Sequence, residues 1–213
     1  GFIFFIFSDA QINEKSLETK LYEVIDSFYV NDSLPVITVE IQTPGFTYIK
    51  AVGKADLKTG VERKYDDKIR IGSITKTFVA TVILQLVDSG KIGLDDKLEK
   101  YYPDYPNSSN ITVRQMLDMT SGIPDYIENP VVLKSFVYDR LDKYTPVQLY
   151  EITKSMKPDF PPGTSWKYSN GNYNILGMMI EKVTGNKIED EITRRIINPL
   201  GLKNTIYPVT PYL

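Results

Sequence analysis

The sequence predicts a mixed α/β fold: an antiparallel sheet flanked by helices, with a helical region inserted after the sheet has begun. Three observations predict it. Residues Ile71 to Gly90 are apolar almost all round a helical wheel, the composition of a helix set inside protein. Ile37, Val39 and Ile41 alternate with polar residues ahead of Thr43-Pro44-Gly45, the pattern of a half-buried strand running into a turn. Between Asn129 and Met156 the apolar positions recur at helical spacing.

Taken in order, Leu17, Leu21, Val24, Ile25 and Phe28 mark an amphipathic first helix whose other face carries Glu14, Lys15, Glu18, Lys20 and Glu23. Asn31-Asp32-Ser33 breaks it. Pro35 to Gln42 is the first strand and Phe46 to Val52 the second, joined as an antiparallel hairpin. Lys58-Thr59-Gly60 lies between polar segments and reads as a turn. The central helix buries Phe78, Val79, Ala80, Val82, Ile83, Leu84, Leu86 and Val87 and ends at Gly90 in the left-handed conformation. Leu94 to Leu98 and Tyr101 to Asn110 read as loop. Thr112 to Met119 is a short helix with Val113, Met116 and Leu117 inward, stopped by Thr120 to Pro124. Two or three short helices follow, with Val131, Leu133, Phe136, Val137, Leu141, Val147, Leu149 and Ile152 as buried positions. After the turn at Pro161-Pro162-Gly163, a strong helix runs from Asn172 to Val183 with Gly185 as its stop, and a last one from Ile188 to Ile197. No internal repeat, low-complexity segment or domain-separating linker stands out.

Composition narrows the chemistry. The chain has 213 residues, 42% hydrophobic and 24% charged, enough for one large domain or two small ones. Its net charge is -2, with no long run of either sign, so a nucleic-acid partner is not expected and a small-molecule or peptide substrate is. It contains no histidine and no cysteine. A Ser-His-Asp triad, a histidine or thiolate zinc site, thiol catalysis and disulfides are therefore excluded. A serine nucleophile here must be deprotonated by lysine, tyrosine or a carboxylate. No metal or other cofactor is called for.

Ser73 and Lys76 stand three residues apart at the start of the central helix, so they share a face and the amine can reach the hydroxyl. An S-x-x-K pattern alone arises by chance on the order of once in a chain of this length. Its setting adds weight. Gly72 leaves room for close approach to the backbone, the helix start offers free amide donors, and an apolar helix would draw Lys76 partly out of water. At the other end, Gly1 to Phe7 form a short apolar run followed by Ser8-Asp9-Ala10. Residues 1–10 read as the tail of a signal peptide, which predicts export to the periplasm, cell envelope or medium, with association with the membrane or cell wall.

Four stretches together carry a resemblance: R-I-G-S-I-T-K-T-F (Arg70 to Phe78), L-Q-L-V-D-S-G-K-I-G-L-D-D (Leu84 to Asp96), I-T-V-R-Q-M-L-D-M-T-S-G-I-P-D-Y (Ile111 to Tyr126) and P-G-T-S-W-K-Y-S-N-G-N-Y (Pro162 to Tyr173). In these the chain resembles the serine β-lactamase and penicillin-binding protein superfamily, in its class C-like branch with D-alanyl-D-alanine carboxypeptidases and related esterases. The resemblance runs from about Leu34 to Thr205 and implies a β-lactamase/transpeptidase-like fold. It also implies that Ser73 is the acylated nucleophile and Lys76 its partner, and that the Ser73 backbone amide is half of the oxyanion hole. Tyr168 would be the general base or proton shuttle, and Asn170 a hydrogen-bonding contact to the substrate amide.

Two departures stand out. Met119 occupies a position where the family usually has histidine, so altered packing is expected there. The family's third motif, lysine or histidine followed by Thr or Ser and Gly on a strand, is not found between Asn170 and Leu213, and Lys58-Thr59-Gly60 precedes both other motifs. The expectation is a domain over residues 11–213 that lacks its C-terminal part, with an incomplete sheet and little activity by itself. The expected function is a serine hydrolase acting through an acyl-enzyme on an amide, lactam or ester, as a D-alanyl-D-alanine carboxypeptidase or β-lactamase-like enzyme. The alternative is a non-catalytic binding or sensor protein of the penicillin-binding type.

Overall fold

A computed structural model describes residues 14–31, 34–138 and 144–209. The chain divides into two compact units, Gly1–Ile69 and Arg70–Leu213. The signal-peptide remnant expected at 1–10 and the buried position expected for Leu141 lie outside the described residues.

In the first unit, helix α1 (Glu14–Asn31) lies against a hairpin of β1 (Val36–Thr43) and β2 (Phe46–Gly53). The strands pair antiparallel, with Thr43 opposite Phe46 and Val36 opposite Gly53. Ile37, Val39 and Ile41 form the half-buried side of β1, as their alternation predicts. Lys50 Nζ reaches Asp26 Oδ1 at 3.0 Å and sits over the Tyr22 ring, fastening α1 to β2. The helix buries less than its pattern promises. Leu17, Leu21 and Ile25, one i, i+4 row, face inward, whereas Val24 and Phe28 on the adjacent row are half exposed. Among the described residues the sheet has two strands, and so narrow a ribbon covers one row of a helix rather than two. Lys58-Thr59-Gly60 is the turn the sequence predicts: Asp56 Oδ1 accepts the Lys58 and Thr59 amides at 2.7 and 3.3 Å.

In the second unit, a 3₁₀ turn at Gly72–Ile74 leads into α2 (Thr75–Asp88). There follow α3 (Val113–Leu117), α4 (Pro130–Tyr138), α5 (Pro146–Ser155), α6 (Asn170–Thr184) and α7 (Ile188–Ile192), the last continuing as a π turn over Thr193–Ile197. The centre is α2 packed on α6. Val79, Val82, Ile83 and Leu86 meet a core that includes Ile175, Leu176, Met179 and Ile180, with Val113 and Met116 of α3 beside them. Fully burying such a side chain contributes about 1.5–3 kcal/mol. These ten outweigh the unit's exposed ion pairs, worth about 0–1 kcal/mol each. Leu84 is exposed, as is Ile74 just ahead of the helix, so α2 is buried along one side and not all round.

Caps explain where the short helices begin. The Thr112 hydroxyl accepts the Gln115 amide at 3.2 Å while Gln115 Oε1 accepts the Thr112 amide at 2.9 Å, a reciprocal box that starts α3. Thr145 and Gln148 repeat it at α5, where Pro146 opens the first turn. The inserted helices correct the sequence reading most. Val131, Leu133, Phe136, Val137 and Val147 are exposed, while Val132 and Tyr150 are buried and Leu149 and Ile152 are half-buried. Helix α4 has a polar side at Lys134 and Ser135, but its main contact is the 3₁₀ turn at Tyr126–Glu128, with Val132 as its inward residue, and so small a partner covers little of its apolar side.

Candidate active site

Every residue of the candidate site belongs to the second unit. Ser73 sits in the 3₁₀ turn ahead of α2, where backbone N–H groups have no partner further up the helix. Gly72 precedes it at φ +54°, and a Cβ built there would meet nothing within 4 Å. Glycine is required at this position by the left-handed backbone rather than by crowding. One turn on, Lys76 is half-buried and its Nζ lies 3.3 Å from Ser73 Oγ.

Tyr168 and Asn170 arrive from the start of α6. Ser169 is the N-cap: fully buried, its Oγ accepts the Gly171 amide at 3.1 Å and donates to the Pro124 carbonyl at 3.0 Å. The residues on either side of this cap are thereby aimed at Ser73. The Tyr168 phenol and the Ser73 hydroxyl share a 2.6 Å hydrogen bond in which either can donate. Lys76 Nζ also donates to Asn170 Oδ1 at 2.6 Å and stands 4.7 Å from the centre of the Tyr168 ring. The ammonium thus touches the serine oxygen, the asparagine oxygen and the face of the phenol. With Lys76 donating to Ser73 Oγ, the serine's own hydrogen is free to point at Tyr168.

The structure brings together Ser73, Lys76, Tyr168 and Asn170, with Gly72 shaping the turn. It also places a residue the sequence reading passed over. Asp125 is 8% exposed, and its two oxygens lie 3.2 and 2.9 Å from Asn170 Nδ2. Both polar ends of Asn170 are accordingly engaged inside the protein, its oxygen by Lys76 and its nitrogen by Asp125. Asp125 directly follows Thr120 to Pro124, the stretch that the sequence marks as a helix stop and that lies beneath the start of α6. Gly122 there has φ +74°, and a Cβ would stand 2.0 Å from the Phe160 carbonyl oxygen. Ser121 Oγ donates to Asn172 Oδ1 at 2.6 Å. Met119, also left-handed at φ +68°, is buried with its sulfur 3.4 Å from Asn172 Nδ2. The segment leading into Tyr168 is pinned at Lys167, whose amide donates to the Met119 carbonyl and whose Nζ bridges Asp159 and Glu128 at 2.8 and 2.9 Å. These two carboxylates, Asp159 first, raise the Lys167 amine above its ordinary range. Burial, aided by the Asp125 charge, pushes the Tyr126 phenol up to about 12, so it stays protonated beside the site. No short-range sequence signal marks Asp125 or Lys167, since their partners lie 45 and 8 or 39 positions away.

A serine hydroxyl flanked by lysine and tyrosine at the start of a helix buried along one side, in a chain that also carries an antiparallel hairpin, defines the class of β-lactamase-like proteins. The sequence matches the family described as Beta-lactamase over residues 36–212, and the chain belongs to that family. It is 31% identical over 190 residues to Protein flp of Staphylococcus aureus (strain MW2), covering 84% of this chain and 36% of that protein. Among solved structures it is similar to a D-stereospecific amidohydrolase from Streptomyces sp. (37% identity, TM-score 0.76, 90% of this chain and 56% of that one). It is also similar to an octameric penicillin-binding protein homologue from Pyrococcus abyssi (30% identity, TM-score 0.75, 86% of this chain and 43% of that one). The chain thus spans between about a third and just over half of the length of these proteins.

Proposed function

We propose that this chain carries the acylating centre of a serine hydrolase that opens amide bonds, with D-configured substrates such as D-alanyl peptides as its class. The observation that carries the reading is the Ser73 hydroxyl held 2.6 Å from the Tyr168 phenol and 3.3 Å from the Lys76 amine. Ser73 Oγ attacks the carbonyl carbon, and its proton passes to the Tyr168 and Lys76 pair, which accepts it when the pair carries one proton fewer than its full complement. The C–N bond then breaks, the amine leaves with that proton, and an acyl ester remains on Ser73. Water attacks the ester, releasing the acid and restoring the serine. The likeness to the D-stereospecific amidohydrolase from Streptomyces sp. favours amide hydrolysis of D-substrates over the other acyl chemistries. Carboxypeptidase action on D-alanyl-D-alanine ends is the finer form of the proposal, and export to the cell envelope goes with it.

The test is intact-mass measurement after incubation with a penicillin and, separately, with a fluorophosphonate. One adduct mapped to Ser73 and abolished in Ser73→Ala is the expected result; an adduct that survives the substitution would sink the assignment. Paired D- and L-phenylalanine amides then read stereochemistry, with release expected from the D form alone. Acylation of Ser73 by a penicillin with no release of acid from either amide would favour a binding or sensor protein.

A further inference from the structure

We propose that Asp125 is a positioning residue for acylation: its carboxylate fixes the Asn170 side-chain amide so that the oxygen, not the nitrogen, faces Lys76. The inference rests on the hydrolase reading above and names a part of that same site.

An asparagine side chain is symmetric in shape but not in charge, and in isolation it turns over freely. Here its two ends see opposite environments. Nδ2 is held between both Asp125 oxygens at 3.2 and 2.9 Å, and Oδ1 receives Lys76 Nζ at 2.6 Å. Turning the amide over would aim a donor at an ammonium and an acceptor at a carboxylate, breaking both contacts. The line Asp125, Asn170, Lys76 therefore has one polarity. Because Asp125 is nearly buried, water does not compete strongly for it.

The consequence falls on Lys76. Its Nζ is anchored at Asn170 Oδ1 and from there reaches Ser73 Oγ at 3.3 Å. A lysine chain has enough rotatable bonds to leave the serine, so an acceptor of fixed direction decides how often the amine is in reach. The Tyr168 hydroxyl also lies 3.5 Å from the same asparagine oxygen, so the orientation of one amide bears on both partners of the serine. Asp125 does a second task, accepting the Ile127 amide at 3.1 Å as cap of the turn at Tyr126–Glu128. Asparagine and serine cap about as well as aspartate, which lets the two tasks be separated.

Two variants of the protein, Asp125→Asn and Asp125→Ser, are compared with wild type for Ser73 acylation by a penicillin across a concentration series, followed by intact mass. The same proteins are followed for thermal midpoint and, by ¹⁵N NMR, for exchange of the Asn170 side-chain amide hydrogens. The expected result is a maximal acylation rate lowered about 100-fold in Asp125→Ser, the loss that an ångström of misplacement brings, and lowered less in Asp125→Asn, with half-saturation and midpoint little changed. In wild type the Asn170 amide hydrogens exchange slowly; in Asp125→Ser, whose hydroxyl is too short to reach them, they exchange fast, and Asp125→Asn, which keeps one acceptor oxygen, falls between. Full-rate acylation in Asp125→Ser overturns the proposal, and so does fast exchange in wild type. If the variants fail to fold, the wild-type exchange still decides. If the wild type takes no acyl group, the hydrolase reading falls, while the exchange measurement reports on Asp125 and Asn170 independently.

Discussion

Ser73 leans on its two partners in different ways. The phenol of Tyr168 is the nearer, at 2.6 Å, and replacing it by Tyr168→Phe deletes one oxygen while leaving the ring against Lys76. Acylation of Ser73 is expected to slow by about 10²–10⁴-fold, the usual worth of a general base, in a single-turnover mass assay. A wild-type rate would take the phenol out of the proton path. Gly72 tests the backbone instead. Since nothing lies within 4 Å of a Cβ there, Gly72→Ala meets only the strain of a left-handed φ, about 1–2 kcal/mol, read as a lowered urea midpoint. At this scale the sequence was eloquent about Ser73, Lys76, Tyr168 and Asn170, because two short motifs in a fixed order carry them. It was silent about Asp125. A buried carboxylate is identified by what it faces, and Asn170 reaches it only through the fold.

Helices are legible when one face is apolar and their ends are marked. Helix α6 meets both conditions: Ser169 caps it, Ile175, Leu176, Met179 and Ile180 line one side, and Gly185 closes it at φ +74°. Its start is earlier than the periodicity places it, at Asn170 rather than Asn172, since the first turn is fixed by the cap and not by apolar spacing. Helix α4 has an apolar side, but its main contact is the short turn at Tyr126–Glu128, and its predicted inward residues face out for that reason. The way α6 is seated gives a sharper test. A Cβ at Gly171 would stand 2.6 Å from the Pro124 carbonyl oxygen and 3.0 Å from side chains of Ile123 and Thr153. Alanine gains about 1 kcal/mol in helix propensity over glycine, whereas crowding a packed contact costs about 1–3 kcal/mol. The crowding should win. Gly171→Ala is expected to lower the thermal midpoint and also to slow Ser73 acylation, because the cap that aims Tyr168 moves with the helix. A raised midpoint would show that the floor yields.

For the second unit as a whole, the acid side of the stability profile has an identifiable source. Glu191 has no exposed surface; burial alone would raise its carboxyl, but Arg195 at 2.5 Å, Arg194 at 2.9 Å and Asn186 at 2.8 Å outweigh that and hold it at about 2. Asp96 is likewise held at about 2 by bonds from Lys100, the Tyr101 hydroxyl and the Gly93 amide. A carboxyl lowered on folding stabilises fully above its ordinary value, near 4.5 for Glu191, and the stabilisation is lost as pH falls through about 2. Unfolding midpoints should therefore drop across that window. Glu191→Gln is expected to cost about 3 kcal/mol at neutral pH, by leaving Arg195 and Arg194 without their charge partner, and to flatten the acid slope. A variant as acid-sensitive as wild type would place the source elsewhere. Neither carboxylate could be singled out in a chain with 27 acidic residues, because depression of a carboxyl depends on donors assembled around it in space.

The separation of 95 positions from Ser73 to Tyr168 has a bearing on kinetics of another kind. In an unfolded chain the serine is an ordinary alcohol, and closing a loop of that length costs entropy that the docking of α6 on α2 and its neighbours recovers. Reactivity at Ser73 should then appear during refolding at the moment that docking is complete, later than the helical circular dichroism of either segment. Pulses of fluorophosphonate at successive times after dilution from denaturant would make the serine a stopwatch for assembly, each label recording one molecule whose two helices had met.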